Sequence, residues 1–111
     1  MKKSIVCLLS LVFVSFPAVA DRITQMSKTE RCVYTARLQV LAHYYFKQGT
    51  PRDQIKVHWK GDETENEIAF VGRALDEAYA WLVARGAEAT ALSEQVFGDM
   101  VYDACMSGQP L

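Results

Sequence analysis

Catalysis and metal binding draw on a short list of side chains, and here the list narrows to His43, His58, the acidic run at residues 62–67 and three cysteines. A histidine on a helix that binds a metal or serves as a base needs a partner one turn away. Gln39 and Lys47 occupy those positions around His43, and neither makes a metal pair with it. His43 therefore reads as a structural or partly exposed histidine. His58 stands beside Trp59 and close to Asp62 and Glu63, a grouping that could form a small polar site with an aromatic wall. In the acidic run, Asp62, Thr64 and Asn66 alternate as calcium ligands do, but the central glycine and closing glutamate of a calcium loop are missing. The run reads as a solvated helix start. No glycine-flanked serine marks a nucleophile elbow, and nothing in the sequence raises the pKa of one carboxylate for glycoside chemistry. No metal, no cofactor and no enzymatic activity is expected, because a helical chain this small rarely builds a water-excluding cleft.

The cysteines point to compartment and staple. Lys2 and Lys3 precede an apolar stretch at residues 5–16, and Ala18 and Ala20 precede Asp21, the three parts of a secretory signal. The apolar stretch falls short of the roughly 20 residues that span a bilayer. Cleavage after Ala20 is expected, leaving residues 21–111 as a single domain in the periplasm or outside the cell. Cleavage also removes Cys7 and leaves Cys32 with Cys105, whose default in an exported chain is a disulfide. Such a bond stabilises a small domain by roughly 4 kcal/mol in the chain-entropy account, and a domain this small is marginal without help. Loss of Lys2 and Lys3 leaves 10 basic against 13 acidic side chains, a net charge of −3. That balance argues against nucleic acid or an anionic membrane surface as the partner, and nothing after the signal is expected to insert in a membrane.

The elements that would hold these residues are helices. Residues 21–26 read as a loose lead-in. Ser27 and Glu30 form a capping box, opening a helix over residues 28–48 that Gly49 stops. Its Tyr34, Leu38, Leu41, Tyr45 stripe and its Cys32, Ala36, Val40, His43 stripe imply two neighbours. Thr50 and Pro51 start a short helix over residues 51–57, although residues 55–59 alternate polar and apolar and could be extended instead. Asp62 or Thr64 caps the central helix, with Glu65 or Glu67 completing the box, and Gly86 ends it. Ile68, Val71, Leu75, Ala78 and Leu82 share one of its faces; Phe70, Ala74 and Trp81 form a second, at about 100° per residue. After an alanine-rich linker, a last helix begins near Thr90 or Ser93 and reaches Met106 or Ser107. The fold class expected is all-α, a small bundle of three long helices and one short one, stapled by the Cys32–Cys105 disulfide after a cleaved signal peptide.

With Cys32, the turn Gly49-Thr50-Pro51-Arg52-Asp53 and the ending Val101-Tyr102-Asp103-Ala104-Cys105, the layout resembles a loose class of small exported helical proteins of bacteria and phages. The resemblance transfers no functional residue. Aromatic residues exceed what a core of this size buries, and those left exposed can anchor a partner. Phe70 with Trp81, and Tyr44 with Phe46, are the candidate binding face, and another protein is the expected partner. The sequence points to a non-enzymatic interaction protein of the bacterial envelope, such as an inhibitor or immunity protein for an envelope-acting enzyme. The alternatives are a periplasmic stress chaperone and a small-ligand carrier or enzyme.

Overall fold

Ser27 and Glu30 close the expected capping box: the Ser27 hydroxyl accepts from the Glu30 amide at 3.1 Å, and the Glu30 carboxylate accepts from the Ser27 amide at 2.8 Å. The computed structural model describes residues 21–111, so the signal peptide expected over residues 1–20 lies outside the described residues. Five helices follow in order: α1 (Arg22–Gln25), α2 (Lys28–Lys47), α3 (Glu65–Arg85), α4 (Ala87–Ala91) and α5 (Glu94–Met106). A 3-10 turn, Arg52–Gln54, lies between α2 and α3. No strand occurs among the described residues. The all-α bundle with three long helices stands.

Helix directions follow from the side chains that meet. Tyr34 stacks on Phe70, Gln39 donates to the Ala74 carbonyl at 3.0 Å, and Phe46 packs edge-on against Tyr79, so positions rise together and α2 runs parallel to α3. Cys32 is bonded to Cys105, Val40 lies against Gly98, His43 against Phe97, and Lys47 pairs with Glu94 at 3.6 Å. Positions therefore fall as they rise on α2, and α5 runs antiparallel to it. A Cβ added at Gly98 would stand 3.1 Å from Val40 Cγ2, so the absent side chain is what allows α5 to approach α2 this closely. The core fills the space between the three long helices, with Leu38 and Ala42 from α2, Val71, Leu75, Ala78 and Leu82 from α3, and Phe97 and Val101 from α5 all buried. The two stripes expected on α2 face these two neighbours.

Parallel neighbours need a connection that travels back along the bundle. The Tyr79 hydroxyl donates to the Thr50 carbonyl at 2.6 Å, and Arg52 pairs with Asp76 at 2.7 Å, so the chain starts its return at the C-terminal half of α3. Regaining the level of Glu67 means descending about twelve residues of α3, roughly 18 Å at 1.5 Å per residue. Six extended residues cover roughly 20 Å, whereas six helical ones cover roughly 9 Å. The short helix expected over residues 51–57 is accordingly reduced to one 3-10 turn; Ile55 has extended backbone and residues 56–60 belong to no helix, as the distance requires.

Two other stretches differ from expectation. The lead-in forms α1, capped by the Asp21 carboxylate on the Ile23 amide at 2.9 Å, with Ile23 buried. The alanine-rich linker forms α4, which begins at Gly86, whose φ of 58° favours glycine, and buries Ala89.

Candidate functional site

The return segment at residues 55–60 follows a period of two. Ile55 is buried and Val57 half-buried against α3, while Lys56, His58 and Lys60 are exposed. Trp59, on the inward side of the alternation, lies at the rim and is 44% exposed. Among the described residues, the amides of Lys56, Val57, His58 and Trp59 meet no hydrogen-bond acceptor. The segment is irregular chain lying on a helix, and these four amides are unpaired among the described residues.

Its end is fixed by carboxylates. Glu63 accepts from the amides of Lys60 and Gly61 at 2.7 and 2.9 Å, closing a turn in which Gly61 has φ 104°. Thr64, rather than Asp62, caps α3, with Glu67 completing the box. Glu67 is buried and also accepts from the Arg22 amide at 2.8 Å, with the Arg22 guanidinium 3.4 Å away. Asp62 holds that guanidinium at 2.7 Å, and Asn66 donates to Asp21. The hydrogen bond from Arg22 lowers the pKa of Asp62, and the Lys60 amide, foremost among backbone donors, lowers that of Glu63. The same hydrogen bond from Asp62 raises the pKa of Arg22.

On one side of the segment these groups wall a cleft of about 300 Å³, into which Tyr34, Met26, Val57, His58 and Trp59 also face. Burial, reinforced by the charges of Glu67 and Glu63, raises the Tyr34 pKa, so its phenol stays protonated and can donate a hydrogen bond there. On the other side lies a depression of about 420 Å³ over Val71, Gly72 and Leu75, bordered by Arg52, Val57, Trp59 and Ile68. Val57 and Trp59 line both. Ile68, expected on the core face of the central helix, is instead 47% exposed here.

The grouping of His58, Trp59, Asp62 and Glu63 is thus brought to one end of the bundle, although Asp62 and Glu63 are spent on Arg22 and on backbone amides. Lys56, His58 and Lys60 form no ion pair among the described residues. What the arrangement leaves free is two ammonium groups, an imidazole, an indole and a row of amides.

The four aromatics proposed as a binding face do not form one surface. Phe70 is half-buried under Tyr34, with ring centroids 5.8 Å apart, and Trp81 lies against Phe97 at 5.7 Å with Arg85 over its ring at 4.9 Å. The Phe70, Ala74, Trp81 stripe is covered from two helices: Tyr34 and Gln39 of α2 lie over Phe70 and Ala74, and Phe97, carried by α5 on the far side of α2, reaches Trp81. Phe46 packs on Tyr79, and of the four only Tyr44 is exposed, at 46%. His43 is fully buried: Nε2–H donates to the Ala89 carbonyl at 2.9 Å, and Nδ1 meets no partner. Cys32 and Cys105 are bonded, with Cα atoms 5.5 Å apart.

Arg22 and Tyr34 join the site from positions far away in sequence, which local reading does not bring together, while Glu67 was legible as a helix cap but not as a partner of Arg22. Lys56 and Lys60 had a legible signal in the alternation around His58. Among the described residues no group of three His, Cys, Asp or Glu side chains could hold a metal, and no helix is long and apolar enough to cross a membrane. Neither a family model, nor a curated protein, nor a solved structure matches the chain.

Proposed function

We propose that this chain is an exported, non-enzymatic binding protein of the bacterial envelope that acts by docking on another protein, as an inhibitor or immunity protein of an envelope enzyme does. One observation carries the reading. At the return segment the carboxylates are engaged within the fold, whereas Trp59 stands exposed and Lys56, His58 and Lys60 stand exposed with no ion pair among the described residues. An exposed tryptophan rimmed by polar groups is the kind of residue that dominates interface energies.

Placing a photo-crosslinking amino acid at position 59 of the full chain in cells tests this. A discrete adduct with one envelope protein is expected, and none is expected from the same probe at Val83, an exposed position at the far end of α3. Absence of an adduct at position 59, or equal labelling from both positions, would overturn the reading. A ladder of many adducts would favour the chaperone instead.

A further inference from the structure

We infer that the 55–60 segment is a strand-addition edge that takes up an extended peptide segment alternating acidic and apolar residues; this rests on the docking role proposed above and names its chemistry. The segment is held extended by the geometry of the return path, with no sheet to require it, so its backbone is already arranged for pairing. A strand that joins such an edge gains main-chain hydrogen bonds, and alternate side chains read its sequence. Lys56, His58 and Lys60 are exposed on the outer side of the alternation, repeating about every 6.6 Å in extended chain, and none pairs with a carboxylate among the described residues. A neighbouring strand would set carboxylates opposite them. Its intervening residues would turn inward over the depression beside Ile55 and Val57, where Ile68 stands 47% exposed.

Charge decides among occupants. Two copies of this segment paired antiparallel about His58 would set Lys56 opposite Lys60 twice, and like charges directly opposite destabilise a ladder. Lysines on an open edge deter self-association for the same reason. The groups that turn away a second copy are the ones that would admit an acidic strand.

The test uses the oxidised protein purified from the periplasm and a ten-residue peptide alternating valine and glutamate. Binding is followed by titration calorimetry, and amide hydrogen exchange is read at Lys56, Val57, His58 and Trp59. Binding should slow exchange at alternate amides of this set. The Lys56→Glu, Lys60→Glu double variant, with both positions exposed and near-ultraviolet dichroism unchanged, should bind about tenfold more weakly. Equal binding of a valine–lysine peptide, or of a glutamate peptide interrupted by prolines, would overturn the inference. So would absence of binding, or binding without a change in exchange at these amides. If the position-59 adduct forms while the peptide fails, the docking role stands and the strand edge does not.

Discussion

The two connections of the bundle solve different problems, and the difference explains where free backbone is found. Between α3 and α5 the helices run antiparallel, so the chain needs only to turn round. It does so through Gly86 and the five-residue α4, whose Ala89 is fully buried and held by His43. Between α2 and α3 the helices run parallel, and the chain must travel the length of the contact before starting again. That connection is extended, carries Lys56, His58 and Lys60 outward, and leaves four successive amides without partners among the described residues. The turn is buried with the core; the return segment enters it only through Ile55 and otherwise lies on its surface. Helix direction, more than loop composition, decides which connection becomes available for binding.

The strongest challenge to this contrast is to remove what fastens the bundle at the end away from the turn. Replacing Cys32 and Cys105 together with serine should lower stability by about 4 kcal/mol, since the bridge joins positions 73 residues apart. Urea titration of the oxidised protein and the variant checks it, and a loss below about 1 kcal/mol would mean the turn and core alone hold α5 in place. Next, His43→Leu keeps the site apolar but leaves the Ala89 carbonyl only the Leu92 amide and gives up the ring contact with Phe97, which together should cost about 2 kcal/mol. The same titration reads it, and amide exchange in α4 should rise with it. If α4 stays as protected as before, His43 does not secure the turn.

A smaller effect is expected at Gly86. Its φ of 58° suits glycine, so Gly86→Ala should cost about 1–2 kcal/mol and raise exchange in α4. A neutral result would show that the turn can relax, weakening the contrast with the return segment. The gentlest test is acid. Asp62 and Glu63 have folded pKa values below their ordinary 3.8 and 4.5, so their contribution is complete above those values and is lost as pH falls through the lowered ones. The return segment should loosen in that range before the bundle does. In a Trp81→Phe variant, Trp59 fluorescence should change at higher pH than the far-ultraviolet dichroism of the helices. Simultaneous loss of both signals would show the segment and bundle to be one cooperative unit, and would favour the chaperone reading, in which the whole fold loosens in acid.

Much of the local structure was legible in the residues. The Ser27–Glu30 box, the glycine stop at Gly86 and the Ser93 cap are decided within a few residues, and the structure carries each of them. The cysteine pairing followed from the count. Helix direction was not legible, because it depends on which stripe of α3 meets which stripe of α2. The helix expected after Pro51 failed for that reason: its start signal was satisfied by one 3-10 turn, and the distance still to be covered required extended chain. The same limit applies to Phe70 and Trp81. Their stripe was visible, but whether it was open depended on Tyr34 of α2 and Phe97 of α5 reaching it once α2 lies between its two neighbours. The candidate polar site was half legible, since His58, Trp59, Asp62 and Glu63 are neighbours in sequence, while Arg22 and Tyr34 arrive only through folding.

The bridge between Cys32 and Cys105 has one more consequence. Lys56 and Lys60 are exposed on extended chain, the form in which proteases engage their substrates, and both lie between the two cysteines. A trypsin cut after either lysine would leave one cysteine on each fragment. The nicked molecule would keep its mass on a non-reducing gel and divide in two only when reduced. The chain could thus be severed at this exposed segment and still remain one covalent molecule.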